Sequence, residues 1–217
     1  MGVVYNHVVT FLASKTTKLR RATFLLAVVA AFGLFGCEDQ PKKPAQPKTN
    51  EFETGRFALQ KMIPVARFWA PDAAPVTLAS TDTSQTNGHE GKSGLWHANF
   101  ASRQRQKFEP FLWSGMADAE RKVDHGIEDT YSPNNRSMQT WDLNFLKVDT
   151  DKALEVAQQH GGKALMEKDP QQPILYLLDF DSGAGQLRWH VIYGDTESSA
   201  KLTILVDAST GLFLRKE

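Results

Sequence analysis

The sequence has very little sulfur chemistry: one cysteine, Cys37, in 217 residues. A single cysteine allows no intrachain disulfide and no thiolate zinc cluster. The sequence also lacks an HExxH motif, a glycine-rich phosphate loop after a strand and a serine in a G-x-S-x-G elbow. Zinc-protease, nucleotide and serine-hydrolase chemistry therefore have no visible support, and we expect a protein that is not an enzyme and needs no metal or cofactor.

An excess of positive charge is also missing, because the chain has 25 Lys/Arg and 25 Asp/Glu. The four basic residues before position 37 lie in a stretch without acidic residues, so the part from Cys37 onward carries 21 basic and 25 acidic residues. Affinity for a nucleic-acid backbone comes mainly from Lys and Arg that displace counterions. We therefore expect no nucleic-acid partner.

The N-terminal 36 residues have the pattern of a secretory leader. Residues 22–36 carry no charge, and at helical rise this apolar stretch covers about 22 Å, less than the roughly 30 Å hydrocarbon core of a bilayer. The following residues, Leu34-Phe35-Gly36-Cys37, resemble the lipobox of bacterial lipoprotein precursors. The resemblance implies cleavage before Cys37, acylation of its thiol and a lipid-anchored protein of the cell envelope, periplasmic if the bacterium is Gram-negative. A buried thiol at the end of an uncleaved signal anchor remains the alternative.

Residues 37–50 are predicted to form the lipidated cysteine and a flexible tether. The stretch EDQPKKPAQPKTN has three prolines, several charges and no large apolar residue. This composition is typical of an extended, solvated linker.

The remaining chain is predicted to contain a duplication, with units 51–145 and 146–217. Each unit starts with an amphipathic helix, the first from Phe57 to Trp69 with a kink or second start at Pro64. The second starts at an Asp149 or Thr150 cap and is closed by Gly161-Gly162. Each helix is followed by three strands, which we predict at 76–80, 95–102 and 108–113 and again at 174–180, 186–193 and 202–206.

The second strands of the two units match most closely. Trp96-His97-Ala98-Asn99-Phe100 corresponds to Trp189-His190-Val191-Ile192-Tyr193. Because strand side chains alternate between faces, each tryptophan shares a face with the helix and each histidine lies on the opposite face. Trp96, His97, Trp189 and His190 are the candidate binding residues. A ligand site, metal site or enzyme built on His97 and His190 between the units is the alternative to a purely structural role for both histidines.

The C-terminal unit resembles the PepSY domain, and the first unit resembles a degenerate copy of it. The likeness lies in the helix DKALEVA from Asp151, in the WHVIY strand from Trp189, and in Val206-Asp207-Ala208-Ser209-Thr210-Gly211 after the third strand. In this last motif Asp207 and Thr210 are suited to bond local amides and Gly211 to turn the chain back. The resemblance implies a binding or regulatory module, which in some relatives restrains a peptidase.

These observations predict an α+β protein of two tandem units, each with a helix packed on a small antiparallel sheet. The expected function is non-catalytic: a membrane-anchored envelope lipoprotein that binds a protein or peptide. Its expected partners are the lipid bilayer, reached through acylated Cys37, and another envelope protein or peptide.

Overall fold

The structure is a computed structural model in which residues 48–217 are described. The predicted leader, Cys37 and the first ten residues after it lie outside the described residues. Within the described residues, no helix has both the length and the apolarity needed to cross a bilayer.

Two helical segments precede the two sets of long strands. The first is helix α1 (Gly55–Trp69), whose buried side chains recur at helical spacing. The second is helix α2 (Thr150–Ala157), which is followed, after a kink at His160 and Gly161, by the short helix α3 (Lys163–Lys168). Two short 3-10 turns, Arg136–Met138 and Leu143–Phe145, lie in the segment between the two halves.

Most strands belong to one antiparallel sheet of nine strands in the order β11-β10-β9-β8-β2-β4-β5-β6, with β7 also paired to β5. A separate two-stranded ribbon joins β1 and β3. The strands are β1 (Glu53–Thr54), β2 (Ala74–Thr81), β3 (Lys92–Ser93), β4 (Leu95–Ser102), β5 (Lys107–Ser114), β6 (Val123–His125), β7 (Asp129–Thr130), β8 (Ile174–Asp181), β9 (Gln186–Tyr193), β10 (Leu202–Asp207) and β11 (Phe213–Lys216).

The sheet order is symmetric about its centre. The first long strand of each half, β2 and β8, pair with each other, and the second and third strands of each half follow outward on either side. The two central strands pair at only two positions, Leu78 with Leu178 and Ala79 with Leu177. The two predicted sets of strands therefore form one continuous sheet around an approximate two-fold axis.

All three helices lie on one face of the sheet, and a single main core fills the space between. Trp96, Ala98 and Phe100 in one half, and Trp189, Val191 and Tyr193 in the other, belong to that core together with the apolar faces of α1 and α2. The alternation expected of a sheet covered on one side is present in β4, where the core residues alternate with more exposed ones. The predicted α+β class is confirmed.

One of the two predicted helix breaks, at Pro64, is absent from the structure. Helix α1 runs through Pro64 without interruption, because Pro64 is on the exposed side, where water can satisfy the carbonyl that loses its partner. At the other helical segment, Gly161 takes a positive φ of 122°, as a helix-ending glycine does, and His160 before it is also outside the helical region. The prediction that Gly161-Gly162 closes the second helix is confirmed, and a separate short helix, α3, follows the kink.

The N-termini of α1 and α2 meet and share their caps. Asp149 Oδ1 accepts from the backbone N–H of Thr150 at 2.8 Å and from that of Arg56 at 2.9 Å. Thr150 Oγ1 accepts from the N–H of Gly55 at 3.2 Å. The start of α2 thus satisfies free amide groups of α1 as well as its own, which ties the two halves together.

Candidate functional site

The two equivalent tryptophans, Trp96 and Trp189, are fully buried and belong to the core. Trp96 Nε1 donates to the carbonyl oxygen of Glu53 at 2.9 Å, and Trp189 Nε1 donates to that of Val148 at 2.8 Å. Each acceptor lies two residues before the helix of its own half, so the two hydrogen bonds are equivalent under the two-fold symmetry. Neither indole presents a surface to a ligand in this structure.

The two equivalent histidines lie on the helix-free face in one row across the sheet. His190 pairs with Leu177, Leu177 with Ala79, and Ala79 with His97. Three inter-strand steps of about 4.8 Å place the two histidine backbones about 14 Å apart. Side chains stand roughly perpendicular to a sheet, and Leu177 and Ala79 lie between the imidazoles. The structure therefore places His97 and His190 on one face but does not bring them together around one metal ion, whose bonds to nitrogen are only about 2 Å long.

His190 is 8% exposed and bonded to a carboxylate of the neighbouring strand. Its Nε2 lies 2.9 Å from Asp179 Oδ1. The same carboxylate accepts two hydrogen bonds from Arg188, Nε to Oδ1 at 3.1 Å and Nη2 to Oδ2 at 2.8 Å. Arg188 Nη1 also contacts Asp181 Oδ2 at 2.6 Å. We call Asp179, Asp181, Arg188 and His190 the junction cluster.

The junction cluster holds its two carboxylates in the charged form. Burial raises the pKa of Asp179, but the hydrogen bonds from His190 and Arg188 and their charges outweigh it and lower that pKa to about 2. The backbone N–H groups of Ala184 and Gly183, with the nearby Arg188 charge, hold the pKa of Asp181 below its ordinary value. The Asp179 hydrogen bond raises the pKa of Arg188. At neutral pH the two carboxylates and the guanidinium group are thus a fixed array of charges.

The junction cluster borders a cleft between the two halves of the sheet. On the N-terminal side of Leu78, strand β2 no longer pairs with β8. Trp141 instead donates to two β2 carbonyls, from its backbone N–H to Pro75 and from Nε1 to Val76, both at 3.0 Å. The space that remains is a cavity of about 300 Å³. It is lined by Val76, Thr77, Arg136, Ser137, Gln139, Asp179, Phe180, Asp181, Ser182 and Arg188.

The opposite end of the β2–β8 junction is closed. There Tyr176 N–H donates to Ser80 Oγ at 2.9 Å, and Ile174 N–H donates to the carbonyl of Asn87 at 2.8 Å. The loop after β2 fills that gap, whereas the segment around Arg136–Met138 fills the other gap only in part. The two-fold symmetry is therefore broken where the cleft opens.

The cleft combines polar, charged and apolar groups. Carboxylates, guanidinium groups, hydroxyls and an amide lie beside the apolar side chains of Val76 and Phe180. Hydrogen-bonding groups of both kinds fix a peptide backbone or polar side chain, and an apolar wall accepts an aliphatic one. The cluster carries no nucleophile placed next to a general base.

His97 lies in a different, shallower cavity of about 250 Å³ with Pro110, Leu112 and Asp124. Partial burial lowers the pKa of His97, so its imidazole is neutral at pH 7. His125 also borders this cavity, but its Nδ1 is bonded to the buried carboxylate of Glu109. Across the described part of the chain, no three His, Cys, Asp or Glu side chains are grouped so that they could hold a metal ion.

The turn residues named from the sequence form a compact hydrogen-bonded turn after β10. Asp207 Oδ1 accepts from the N–H groups of Ser209 and Thr210, both at 2.8 Å. Gly211 has a positive φ of 78°, and its N–H donates to the Asp207 carbonyl at 2.8 Å. Thr210 Oγ1 accepts from the N–H of Leu212 at 3.3 Å. The turn then leads into β11, so its role here is structural.

Sequence reasoning missed Asp179, Asp181, Arg188 and the cleft-lining segment around Ser137. A signal for the first three existed, because the turn after Asp181 sets the register of the β8–β9 hairpin. In that register Asp179 is opposite Arg188, and strand alternation puts His190 on the same face. No local pattern in the sequence places residues 136–139 against this hairpin.

Comparison with known proteins adds little to this geometry. No family model matches the chain, and no curated protein matches it significantly. A crystal structure of a Clostridium difficile 630 protein, provisionally described as a lipoprotein, is similar with a TM-score of 0.47 and 15% sequence identity. The similarity covers 80% of this chain and 95% of the other. A similarity of this degree carries no function over to the present chain.

Proposed function

We propose that this protein is a non-catalytic, lipid-anchored protein of the bacterial envelope that binds a peptide or protein segment in the cleft between its two halves. The single observation that supports binding is the cleft itself. The two halves pair at only two positions, and the gap beside them is bordered by a fixed array of charges. We propose that the partner is a segment of a larger envelope protein, which this protein restrains by binding it. As the PepSY resemblance implies, such partners include peptidases.

The lipid anchor is supported by three features of the sequence. Leu34-Phe35-Gly36-Cys37 resembles a lipobox, the cysteine is the only one in the chain, and a proline-rich stretch separates it from the folded part. Acylation removes the thiol, which avoids intermolecular oxidation of an unpaired cysteine in an oxidising compartment. The stretch from 38 to 47 then separates the bilayer from the domain.

Mass spectrometry of protein expressed in a bacterium tests the anchor. We expect the leader to be absent and Cys37 to carry diacylglycerol, with palmitate among its acyl chains. A Cys37→Ser variant should keep its leader and lack the added mass. An intact leader with a free Cys37 thiol in the wild-type protein would disprove the anchor.

Site-specific photocrosslinking tests the cleft. A photoreactive phenylalanine analogue is placed at Ser137, which lines the cleft, and in a matched strain at Ser198, an exposed serine outside it. We expect a defined crosslinked species from position 137 alone, and its loss when Arg188 is also changed to Met. The same crosslinks from both positions, or none from position 137, would contradict the proposal.

The alternative function, a metal or ligand site shared by His97 and His190, is disfavoured by their separation across the sheet and by the bond from His190 to Asp179. A zinc titration of the domain, followed by calorimetry, distinguishes the two proposals. We expect no one-to-one zinc binding that depends on both histidines, which would be lost in the His97→Ala variant and also in the His190→Ala variant. Tight stoichiometric binding that requires both histidines would favour the alternative.

A further inference from the structure

The outer face of helix α1 differs in charge from the rest of the folded part. Its solvent-facing residues include Arg56, Lys61, Arg67 and Phe68, and the helix contains no acidic residue. The part of the chain from Cys37 onward, by contrast, has more acidic than basic residues. This one helix face therefore has a local net positive charge.

The three cations of α1 are not used in ion pairs. Among residues 48–217, none of Arg56, Lys61 and Arg67 forms a salt bridge. Lys61 lies 4.9 Å over the ring of Phe57, a contact that leaves its ammonium group accessible from the solvent side. The face thus offers three charges to an external anion.

Phe68 extends from the same face, at the C-terminal end of α1, and is 92% exposed. Positions 61, 64 and 68 are three and four residues apart, so they lie along one side of the helix. An exposed aromatic ring beside cations is the arrangement by which interfacial helices enter the headgroup region of a bilayer. Ile127 is similarly exposed, at 89%, but Asp124, Glu128 and Asp129 lie within three residues of it in the chain. Its acidic surroundings make Ile127 unsuited to an anionic surface.

The position of α1 in the chain puts it next to the proposed anchor. Helix α1 starts at Gly55, and only residues 38–47 separate Cys37 from the first described residue, Lys48. Ten extended residues span at most about 35 Å. A helix of 15 residues is about 22 Å long, so the tether permits its whole outer face to reach the surface that holds the lipid.

We propose that the outer face of α1 docks on an anionic phospholipid surface, with Arg56, Lys61 and Arg67 at the headgroups and Phe68 inserted between them. The tether argument rests on the acylation of Cys37, but the charge and exposure of the helix face do not. Docking of α1 holds the domain in one orientation on the bilayer. The helix-free face of the sheet, which carries the junction cluster, then points away from the lipid.

Vesicle co-sedimentation tests the docking without the anchor. Residues 46–217 form one compact unit with its own core, so this fragment is made without the leader and Cys37. We expect it to sediment with vesicles of 70% phosphatidylcholine and 30% phosphatidylglycerol at low salt. Binding should fall several-fold in 0.5 M NaCl, because salt screens surface charges, and pure phosphatidylcholine vesicles should bind little.

Two matched pairs of variants locate the contact. The triple variant Arg56→Glu, Lys61→Glu, Arg67→Glu should reduce binding at least tenfold, since each basic residue near an anionic surface contributes several-fold. The control triple Lys152→Glu, Lys163→Glu, Lys168→Glu makes the same charge change on α2 and α3 and should retain most binding. Phe68→Ser should weaken binding a few-fold, whereas Ile127→Ser should not.

Circular dichroism confirms that each variant is folded before binding is compared. The proposal is overturned if the wild-type fragment does not bind the anionic vesicles, or if both triple variants lose binding equally. It is also overturned if the fragment self-associates through α1 and ignores vesicles. These outcomes concern the helix face alone, so they leave the acylation of Cys37 and the cleft to be decided by their own tests.

Discussion

At the scale of single residues, two buried tyrosines differ in one hydrogen bond. Tyr176 Oη donates to the carbonyl of Gly88 at 2.5 Å, whereas Tyr193 Oη has no partner in the described structure. Burial raises the pKa of both hydroxyl groups, so both stay protonated in the physiological range. The two side chains therefore form a matched pair for measuring how much the hydrogen bond of a buried hydroxyl contributes to stability.

We expect Tyr176→Phe to lower the free energy of unfolding by about 1–2 kcal/mol, because it leaves a buried carbonyl without its donor. Tyr193→Phe should change it by less than about 0.5 kcal/mol, or raise it, since no hydrogen bond is lost. Urea denaturation followed by tryptophan fluorescence measures both. A larger loss for Tyr193→Phe than for Tyr176→Phe would show that the Tyr193 hydroxyl has a partner after all.

At the scale of single residues, Asp179 leads to a prediction of how folding stability depends on pH. Its folded pKa of about 2 is below the value of 3.8 expected without partners. A depressed folded pKa stabilises the folded state above the unfolded pKa, and this contribution disappears as the pH falls through the folded value. We expect Asp179→Asn to cost about 1–2 kcal/mol at pH 7, less than the full shift implies because the side chain is 29% exposed.

The cost of Asp179→Asn should shrink as the pH falls from about 5 toward 2, because the wild-type carboxylate is then protonated as well. Unfolding curves at pH 7, 4 and 2.5 measure this trend. Asp169→Asn is the control. The salt bridge from Asp169 to Lys201 is about half exposed and should contribute less than about 0.5 kcal/mol to stability at each of these three pH values. A pH-independent cost at Asp179 would mean that its neutral hydrogen bonds, rather than its charge, stabilise the fold.

At the scale of elements, the strands were the most predictable part of the fold. Period-2 alternation and flanking turn residues located β4 and β9 with the bounds that the structure has, and the other four long strands within two residues of each end. The short strands β1, β3, β6 and β7 were missed, because two or three residues carry no periodicity. Helix α3 was missed because a Gly-Gly pair ordinarily ends a helix.

The shared cap of α1 and α2 supplies the element-scale prediction. Asp149→Ala removes one carboxylate that accepts from both helix N-termini, so we expect a loss of about 1–2 kcal/mol in unfolding free energy. Asp142→Ala is the control, because Asp142 caps only the short turn Leu143–Phe145. It should cost less than half as much. Thermal unfolding by circular dichroism measures both, and equal losses would contradict a cap shared by two helices.

At the scale of the whole molecule, the sequence predicted two units but not how they join. The pairing of β2 with β8 links residues about 100 positions apart and involves only two residue pairs, so no local pattern encodes it. The sequence did not predict the candidate site for the same reason. The row containing His97 and His190, and the cleft beside Asp179, both depend on where one half sits against the other.

The joined sheet, the common core and the shared caps predict that the two halves unfold together. The core cluster contains buried side chains from both halves, and Gly55 lies against both tryptophans, where an added Cβ would be 2.7 Å from Trp189 and 3.0 Å from Trp96. Each half therefore leaves part of its apolar surface uncovered when the other is absent. We expect fluorescence and far-UV circular dichroism to give coincident urea transitions for residues 46–217.

The same reasoning predicts that residues 146–217 do not fold when made separately. Removing the first half exposes the side of β8 that pairs with β2 and uncovers Trp189 near Gly55. Dispersed amide signals in a two-dimensional NMR spectrum would indicate a folded fragment. We expect instead a spectrum whose amide signals are poorly dispersed. Gly55→Ala in the intact domain provides an independent check: its methyl group overpacks both tryptophans and should cost about 1–3 kcal/mol. Because Gly55 belongs to the first half and Trp189 to the second, that loss should appear in one transition, and a split into two transitions would show that the halves are independently stable.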